Sequence, residues 1–303
     1  MQSNKESGMK LKIGYFADGV WSHNAFDKLI KDKDIEIKFI CARYDSNDEK
    51  LLNYSKEFNI DYLKHNDINS DEFIEKIKHY NCDLFVSMSF NQIFKSRIIN
   101  LPRYKTINCH AGKLPFYRGR NILNWALIND EKEFGITVHY MDTGIDTGDI
   151  ILQKCFTITD NDDYKSILTK AHSECANILY EAICLFKNGK AESKKQEGIG
   201  FYCSRRIEGD ENLNFNQTSR EVFNFVRAIC YPAIVARAFL NDKEMKINKV
   251  ELVKDAPQYK CVPGAILCKD GDTFLVKTQD SFVKVVEYEY DGKIKVGDRF
   301  DVK

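Results

Sequence analysis

Hydrophobic and polar positions change their rhythm along this chain, and the changes mark out its elements. KLKIGYF (10–16) and IEIKFICARY (35–44) are rich in β-branched and aromatic residues and predict strands. Between them, Ser22 is placed to cap a helix through AFDKLIKD. NDEKLLNYSKEF (47–58) spaces Leu51, Leu52, Tyr54 and Phe58 as a helix would, and a short strand follows near Tyr62. SDEFIEKIKHY (70–80) opens with a capping serine and carries Phe73, Ile74 and Ile77 on one face. CDLFVSMS (82–89) is almost continuously apolar, the pattern of a central parallel strand covered on both faces, and TINCH (106–110) is another short strand. This alternation predicts an α/β domain with a Rossmann-like, doubly wound, mostly parallel sheet.

Beyond Asp130 the rhythm changes. ITVHYMD (136–142) and DIILQKCFTI (149–158) are strands close enough in sequence to pair. Residues 164–189 form a long amphipathic helix that Asn188-Gly189 stops, and the polar run 190–200 reads as a linker. SREVFNFVRAI (219–229) is a further helix with Pro232 soon after it. From Ile234 onward short strands alternate with Asp-Gly turns at 270–271 and 291–292, the signature of a small OB-like β-barrel. The expected organisation is an N-terminal domain over 1–190, a linker and helix over 191–230, and the barrel over 231–303. The polar residues ahead of Met9 read as a loose tail.

Composition narrows the function classes. The 303 residues carry 45 Lys+Arg against 45 Asp+Glu, with 43% hydrophobic and 30% charged, which fits a soluble globular protein rather than a disordered one. Zero net charge argues against a chain whose main task is wrapping nucleic acid. From Gly200 to Lys303 the balance is again near neutral, 17 Lys+Arg to 16 Asp+Glu. No apolar run is long enough to span a membrane, and MQSNKESGMK lacks the apolar core of a secretory signal, so the expected location is cytoplasmic. The ten cysteines form no C-x-x-C pair and read as reduced core thiols, not as disulfides or a zinc site. Ala17-Asp18-Gly19 is too sparse for a dinucleotide loop, and Gly189-Lys190 is not a P-loop.

Candidate chemistry concentrates between 87 and 149. Asn108 and His110 end a strand and share one side of it, where ligands of open parallel sheets bind. An amide there can donate to a developing oxyanion while an imidazole shuttles a proton; a satisfied loop histidine is the plainer alternative. MDTGIDTGDI (141–150) holds Asp142, Asp146 and Asp149 between two strands. It reads as a turn-rich loop or, less readily, as a metal site; its carboxylates could also orient His110 and favour its protonated form. Lys113, Arg118 and Arg120 flank a Tyr-Arg-Gly turn ahead of a helix and suit an anion.

These segments together, Asn108-Cys-His110, Leu114-Pro115-x-Tyr117-Arg118-Gly119, Gly135-Ile-Thr-Val-His and Met141-Asp-x-Gly-x-Asp146-Thr-Gly-Asp149, resemble the N10-formyltetrahydrofolate-dependent formyltransferases. The resemblance covers residues 10–190 well and extends more loosely to a C-terminal barrel. It implies a catalytic triad of Asn108, His110 and Asp146, and no metal. It implies a formyl-folate co-substrate whose pterin lies along Met88, Phe90, Asn91, Gln92 and Ile93 and near Asp142. Gly112-Lys113-Leu114-Pro115, Tyr117-Arg118-Gly119-Arg120-Asn121 and Asn124-Trp125 resemble the sugar-nucleotide branch, and so does the opening 17–29. That branch implies transfer to the amine of a nucleoside-diphosphate-linked amino sugar, for O-antigen or another surface glycan. The sugar and pyrophosphate would then meet Lys113, Tyr117, Arg118, Arg120 and Asn121, with Arg205 and Arg206 adding to the pyrophosphate site and Tyr231 stacking on the base. The tRNA-formylating branch is the alternative; its usual Trp-Arg-Gly-Ala-Ala-Pro stretch and basic C-terminal domain are not matched. A folate-binding scaffold or a formyl-folate hydrolase is a third reading. No nucleic-acid partner and no membrane are expected, and a homodimer is left open.

Overall fold

The computed structural model describes residues 10–301. The expected loose tail lies outside the described residues. In chain order the elements are β1 (Leu11–Ala17), α1 (Gly19–Leu29), β2 (Ile35–Ala42), α2 (Glu49–Glu57), β3 (Asp61–Leu63), α3 (Asp71–Lys78), β4 (Leu84–Met88), α4 (Ser96–Ile99), β5 (Thr106–His110), β6 (Arg118–Gly119), α5 (Ile122–Ile128), β7 (Glu133–Tyr140), β8 (Ile150–Thr157), α6 (Tyr164–Lys187), β9 (Tyr202–Cys203), α7 (Ser219–Ala228), β10 (Ala236–Leu240), β11 (Lys243–Leu252), β12 (Ile266–Asp270), β13 (Thr273–Lys277) and β14 (Phe282–Glu289). They fall into two compact units. One runs to Gly119 and adds Gly135–Phe156 and Lys170–Tyr202; the other comprises Arg120–Phe134, Thr157–Thr169 and Cys203 onward. Among the described residues no helix is long and apolar enough to cross a membrane.

The first unit is built on a seven-stranded sheet of order β3-β2-β1-β4-β5-β7-β8. The strands β3, β2, β1, β4 and β5 pair in parallel, and β7 turns antiparallel against β5. The apolar runs dictate this, since side chains alternate across a strand and both faces must be covered. On one face, Phe16, Phe39, Phe85 and Cys41 pack with Phe73, Ile74 and Ile77 of α3 and Ile98 and Ile99 of α4. Phe16 is fully buried and meets Phe39, Phe85 and Phe94 edge-on. On the other face Tyr15 meets Phe26 of α1, which stacks on Tyr54 of α2.

One expected cap is corrected here. Ser22 does not begin α1; it lies within the helix, buried, with its hydroxyl on the Gly19 carbonyl. The chain turns directly from β1 into the helix because Gly19 adopts φ +67°, a conformation that costs glycine little. The Gly19 N–H is satisfied at long range by Asp48, 2.7 Å away, which also caps α2 through Leu51 N and contacts His23 at 2.8 Å. Burial pushes the Asp48 carboxyl up, but the Leu51 and Gly19 amides and His23 outweigh it and hold it below the ordinary range. A protein carboxylate thus occupies the helix start that a phosphate-binding fold would leave for its ligand.

The second unit holds a five-stranded antiparallel sheet of order β10-β11-β14-β13-β12. Arg299 and Phe300 bridge to Ala265 and Leu240, beside its two edge strands, and so draw the sheet toward closure. Asp270-Gly271 makes the β12–β13 turn, with Gly271 at φ +58°. Helix α7 starts in a capping box of Thr218 and Glu221 and packs on α5, β11 and β14. Its Arg220 bonds Asp130 at 3.0 Å and Asp160 at 2.7 and 2.8 Å. Chiefly through Arg220, the Asp130 carboxyl falls from 3.8 to about 2. Replacing Arg220 with Ala is expected to cost about 1 kcal/mol of stability at neutral pH, a modest figure because these side chains are about a third exposed. A depressed carboxyl stabilises above its unfolded pKa, so this difference should shrink as pH falls from about 4 toward 2. Urea denaturation of both proteins at pH 7 and pH 3 checks it.

Candidate active site

The pairing of β5 with β7 assembles the site. Asn108 lies opposite His139 and His110 opposite Thr137, so these four side chains share one face of the sheet. The loop after β7 brings Asp146 back over that face, with its backbone left-handed at φ +55°. Its Oδ2 accepts from the Gly119 N–H at 2.9 Å and stands 3.6 Å from His110 Nδ1; its Oδ1 stands 3.5 Å from His139 Nε2. Asn108, His110 and Asp146, far apart in sequence, therefore converge.

Carbonyl partners fix both imidazoles. His110 Nε2 is 2.7 Å from the Tyr117 carbonyl, which can only accept, so Nε2 carries a proton and Nδ1 faces Asp146. His139 Nδ1 likewise donates to the Tyr140 carbonyl at 2.7 Å, leaving Nε2 to accept from Asn108 Nδ2 at 3.3 Å. One amide hydrogen of Asn108 is thereby committed, and the second has no protein partner among the described residues. Burial pushes the His110 pKa down, against the opposing pull of Asp146 and the Tyr117 carbonyl. Burial thus favours the neutral imidazole, while the Asp146 carboxylate beside it favours the imidazolium, as expected of a carboxylate in that loop. Asp146 is driven the other way: burial raises its carboxyl, but the charge that His110 and His139 carry when protonated, together with the Gly119 N–H, holds it far below the ordinary range.

The turn after β5 is braced to keep this geometry. The Thr137 hydroxyl donates to the Gly112 carbonyl at 2.7 Å, and the Gln153 amide reaches both Thr137 Oγ1 and the Leu114 carbonyl, at 2.8 and 2.9 Å. A Cβ on Gly112 would lie 2.4 Å from His110 Nε2 and 2.5 Å from the Tyr117 carbonyl, so only glycine fits.

The other predicted residues fall into groups. Met88 is buried at the end of β4. Phe90 packs on Phe16 and Phe94. Asn91 donates to Asp45 at 2.9 Å, while its Oδ1 is buried with no partner among the described residues. Gln92 bonds Ile68 N and the His65 carbonyl, and Ile93 is 64% exposed. Asp142 accepts from Gly144 N and Thr147 Oγ1 within its own loop. Lys113, Tyr117 and Arg118 belong to the unit that holds the triad, where Tyr117 is buried and offers its carbonyl to His110. Arg120, Asn121, Arg205, Arg206 and Tyr231 belong to the other unit. There Asn121 Oδ1 holds the Arg206 N–H at 3.0 Å, Arg206 Nε is buried without a partner among the described residues, and the Tyr231 hydroxyl donates to Glu289. Among the described residues no cluster of three or more His, Cys, Asp or Glu is arranged for a metal ion. A cavity of about 580 Å³ touches the Asp146 loop through Met141, Asp142 and Gly148, but neither Asn108 nor His110 lines it.

Two contributors escaped the sequence reading. His139 looked like one strand residue among several; its signal was that Thr137 and His139 alternate on a strand close in sequence to Asn108 and His110. Gln196 sat inside a presumed linker, yet its amide binds the carbonyls of Asp146 and Gly148, both at 2.8 Å.

Comparison with known proteins adds a family to this geometry. Residues 31–183 match the formyl transferase family, and residues 207–299 match the formyl transferase C-terminal domain. A methionyl-tRNA formyltransferase from Thermodesulfovibrio yellowstonii is 34% identical over 223 residues, which is 74% of this chain and 70% of that one. Among solved structures, the N-formyltransferase from Helicobacter canadensis, in complex with folinic acid and dTDP-3-aminofucose, aligns with a TM-score of 0.70 at 24% identity, covering 93% of this chain and all of that one. WlaRD, a sugar 3N-formyl transferase solved with dTDP and 5-N-formyl-THF, aligns with a TM-score of 0.68 at 24% identity over 92% of this chain and 97% of that one.

Proposed function

Since the chain belongs to the formyl transferase family, we propose that it carries a formyl group from N10-formyltetrahydrofolate to the amine of a nucleoside-diphosphate-linked amino deoxysugar. The observation that carries this reading is the convergence of Asn108, His110 and Asp146 with one amide hydrogen of Asn108 uncommitted. The neutral acceptor amine adds to the formyl carbon, and the carbonyl oxygen takes up the negative charge. The free Asn108 N–H donates to that oxygen. His110 Nδ1 takes the proton from the attacking nitrogen, and Asp146 stabilises the imidazolium. His110 then returns the proton to the departing folate nitrogen as its bond to the formyl carbon breaks.

The residues fit a folate as far as their own chemistry goes. The unpartnered, buried Oδ1 of Asn91 is an acceptor available to a pterin N–H, and Met88 and Asp142 flank the ends of β4 and β7. Lys113 and Arg118, in the unit that holds Asn108, His110 and Asp146, supply cations for a pyrophosphate.

A nucleotide sugar is supported by the near-neutral balance after Gly200 and by two structural relatives whose ligands are dTDP or a dTDP-sugar. The tRNA reading has its own observation, the 34% identity to a methionyl-tRNA formyltransferase. The two separate in one assay. Purified protein and formyl-folate are offered a panel of nucleotide amino sugars and charged initiator tRNA, and each product is read by mass. A formylated sugar nucleotide is expected. Formylation of the tRNA alone would move the acceptor assignment to that branch, and folate deformylation without an acceptor would make the protein a hydrolase.

A further inference from the structure

We infer that Gln196 is a positioning residue, which holds the Asp146 loop against His110 and His139 through its amide N–H groups. This rests on the triad reading above. Asp146 is a non-glycine residue in a left-handed conformation, which persists only where its surroundings over-determine it. Its carboxylate has one backbone anchor, the Gly119 N–H. The other anchor acts on its main chain: Gln196 Nε2 donates to the carbonyls of Asp146 and Gly148, both at 2.8 Å, and spans the bend between them. Gln196 is itself fixed from two sides. Two residues earlier, Lys194 pairs with Ile150 at the start of β8, at 2.8 and 2.9 Å. Its Oε1 accepts from Arg118 Nε and Nη2 at 3.2 and 2.7 Å, which settles the amide orientation because a guanidinium can only donate.

The same clamp joins two sides of the site. Arg118 directly precedes Gly119, the residue whose N–H holds the Asp146 carboxylate, and the Arg118 N–H is tied to the Phe201 carbonyl at 3.1 Å. Gln196 therefore links the strand that presents a cation for the acceptor with the loop that presents the carboxylate. An interaction of this kind governs the precision of a site more than its stability.

Two substitutions separate the donor face of Gln196 from its acceptor face. Gln196→Ala loses both; Gln196→Glu keeps an acceptor for Arg118 and loses the donors to the two carbonyls. Both variants are expected to lose at least tenfold in kcat, with melting temperatures within a few degrees of wild type. The histidine titration is followed by NMR on the full chain with labelled histidine and needs no turnover. His110 faces Asp146, His139 and the Tyr117 carbonyl, and in Gln196→Ala it should titrate at lower pH as the carboxylate drifts away. Arg118→Ala keeps the donors to both carbonyls and frees only the acceptor face, so it should move that titration less than Gln196→Ala does. If Gln196→Glu turns over like wild type, or the His110 titration stays put in Gln196→Ala, the assignment is overturned. If wild type formylates no acceptor while the titration shifts as stated, the fault lies in the functional reading and the positioning role stands.

Discussion

Replacing Asn108 with Ala is expected to lower kcat by about 10²–10³-fold while leaving folate and acceptor affinity close to wild type. The loss of one preorganised oxyanion donor costs about 2.7–4 kcal/mol of barrier. Two features of the structure put Asn108 in that range. Its amide is held by His139 at 3.3 Å, so its second hydrogen is aimed before substrate arrives. It also stands on β5, paired on both sides in the sheet, so no loop motion blurs its position. Asn108→Asp is the sharper variant, because it keeps the size and replaces the donor by charge. Single-turnover rates with binding measured in parallel decide the matter. A rise in KM with kcat unchanged would mean that the amide only holds the ground state.

Asp146→Asn is expected to lower the plateau of kcat/KM by about 10²–10⁴-fold, the range in which positioned acid–base groups act. It should also move the acid limb of the pH profile. In wild type, burial holds the His110 pKa below its ordinary 6.5 while the Asp146 charge pulls the other way. Removing the charge leaves burial less opposed, so His110 becomes still harder to protonate. A general base must be neutral to work, so the acid limb shifts to lower pH even as the plateau falls. An asparagine can still accept from the Gly119 N–H, which keeps the loop near its place and makes the variant a test of charge. An acid limb that moves to higher pH would contradict this assignment of roles.

Much of this was legible in the residues, and the exceptions have physical causes. The strands of the first unit were legible because apolar runs such as Leu84–Met88 have nowhere to go but a covered sheet. Asn108 and His110 could be placed on one face from strand alternation alone. Asp146 could not be aimed at His110 by any local rule, since its approach depends on a left-handed loop and on Gln196, fifty residues away. Resemblance supplied what periodicity could not. Ser22 looked like a cap because it is a serine ahead of an apolar stretch; the helix begins three residues earlier, at Gly19, whose N–H is met by Asp48, from beyond β2. Gln196 was hidden by its polar neighbours, which have the composition of a linker although the segment is bonded at both Lys194 and Gln196. For His110, the pull of a nearby carboxylate was legible from the motifs, whereas the burial that opposes it belongs to the folded chain.

The most direct test asks whether the three side chains work as one device. Single-turnover formyl transfer is measured for Asn108→Ala, His110→Ala, Asp146→Asn and the triple variant. Groups that act on one reacting carbonyl are strongly non-additive. The triple variant should be no slower than the worst single variant by more than a few-fold. Losses that multiply across the three positions, or a His110→Ala protein that transfers formyl at the wild-type rate, would contradict the account.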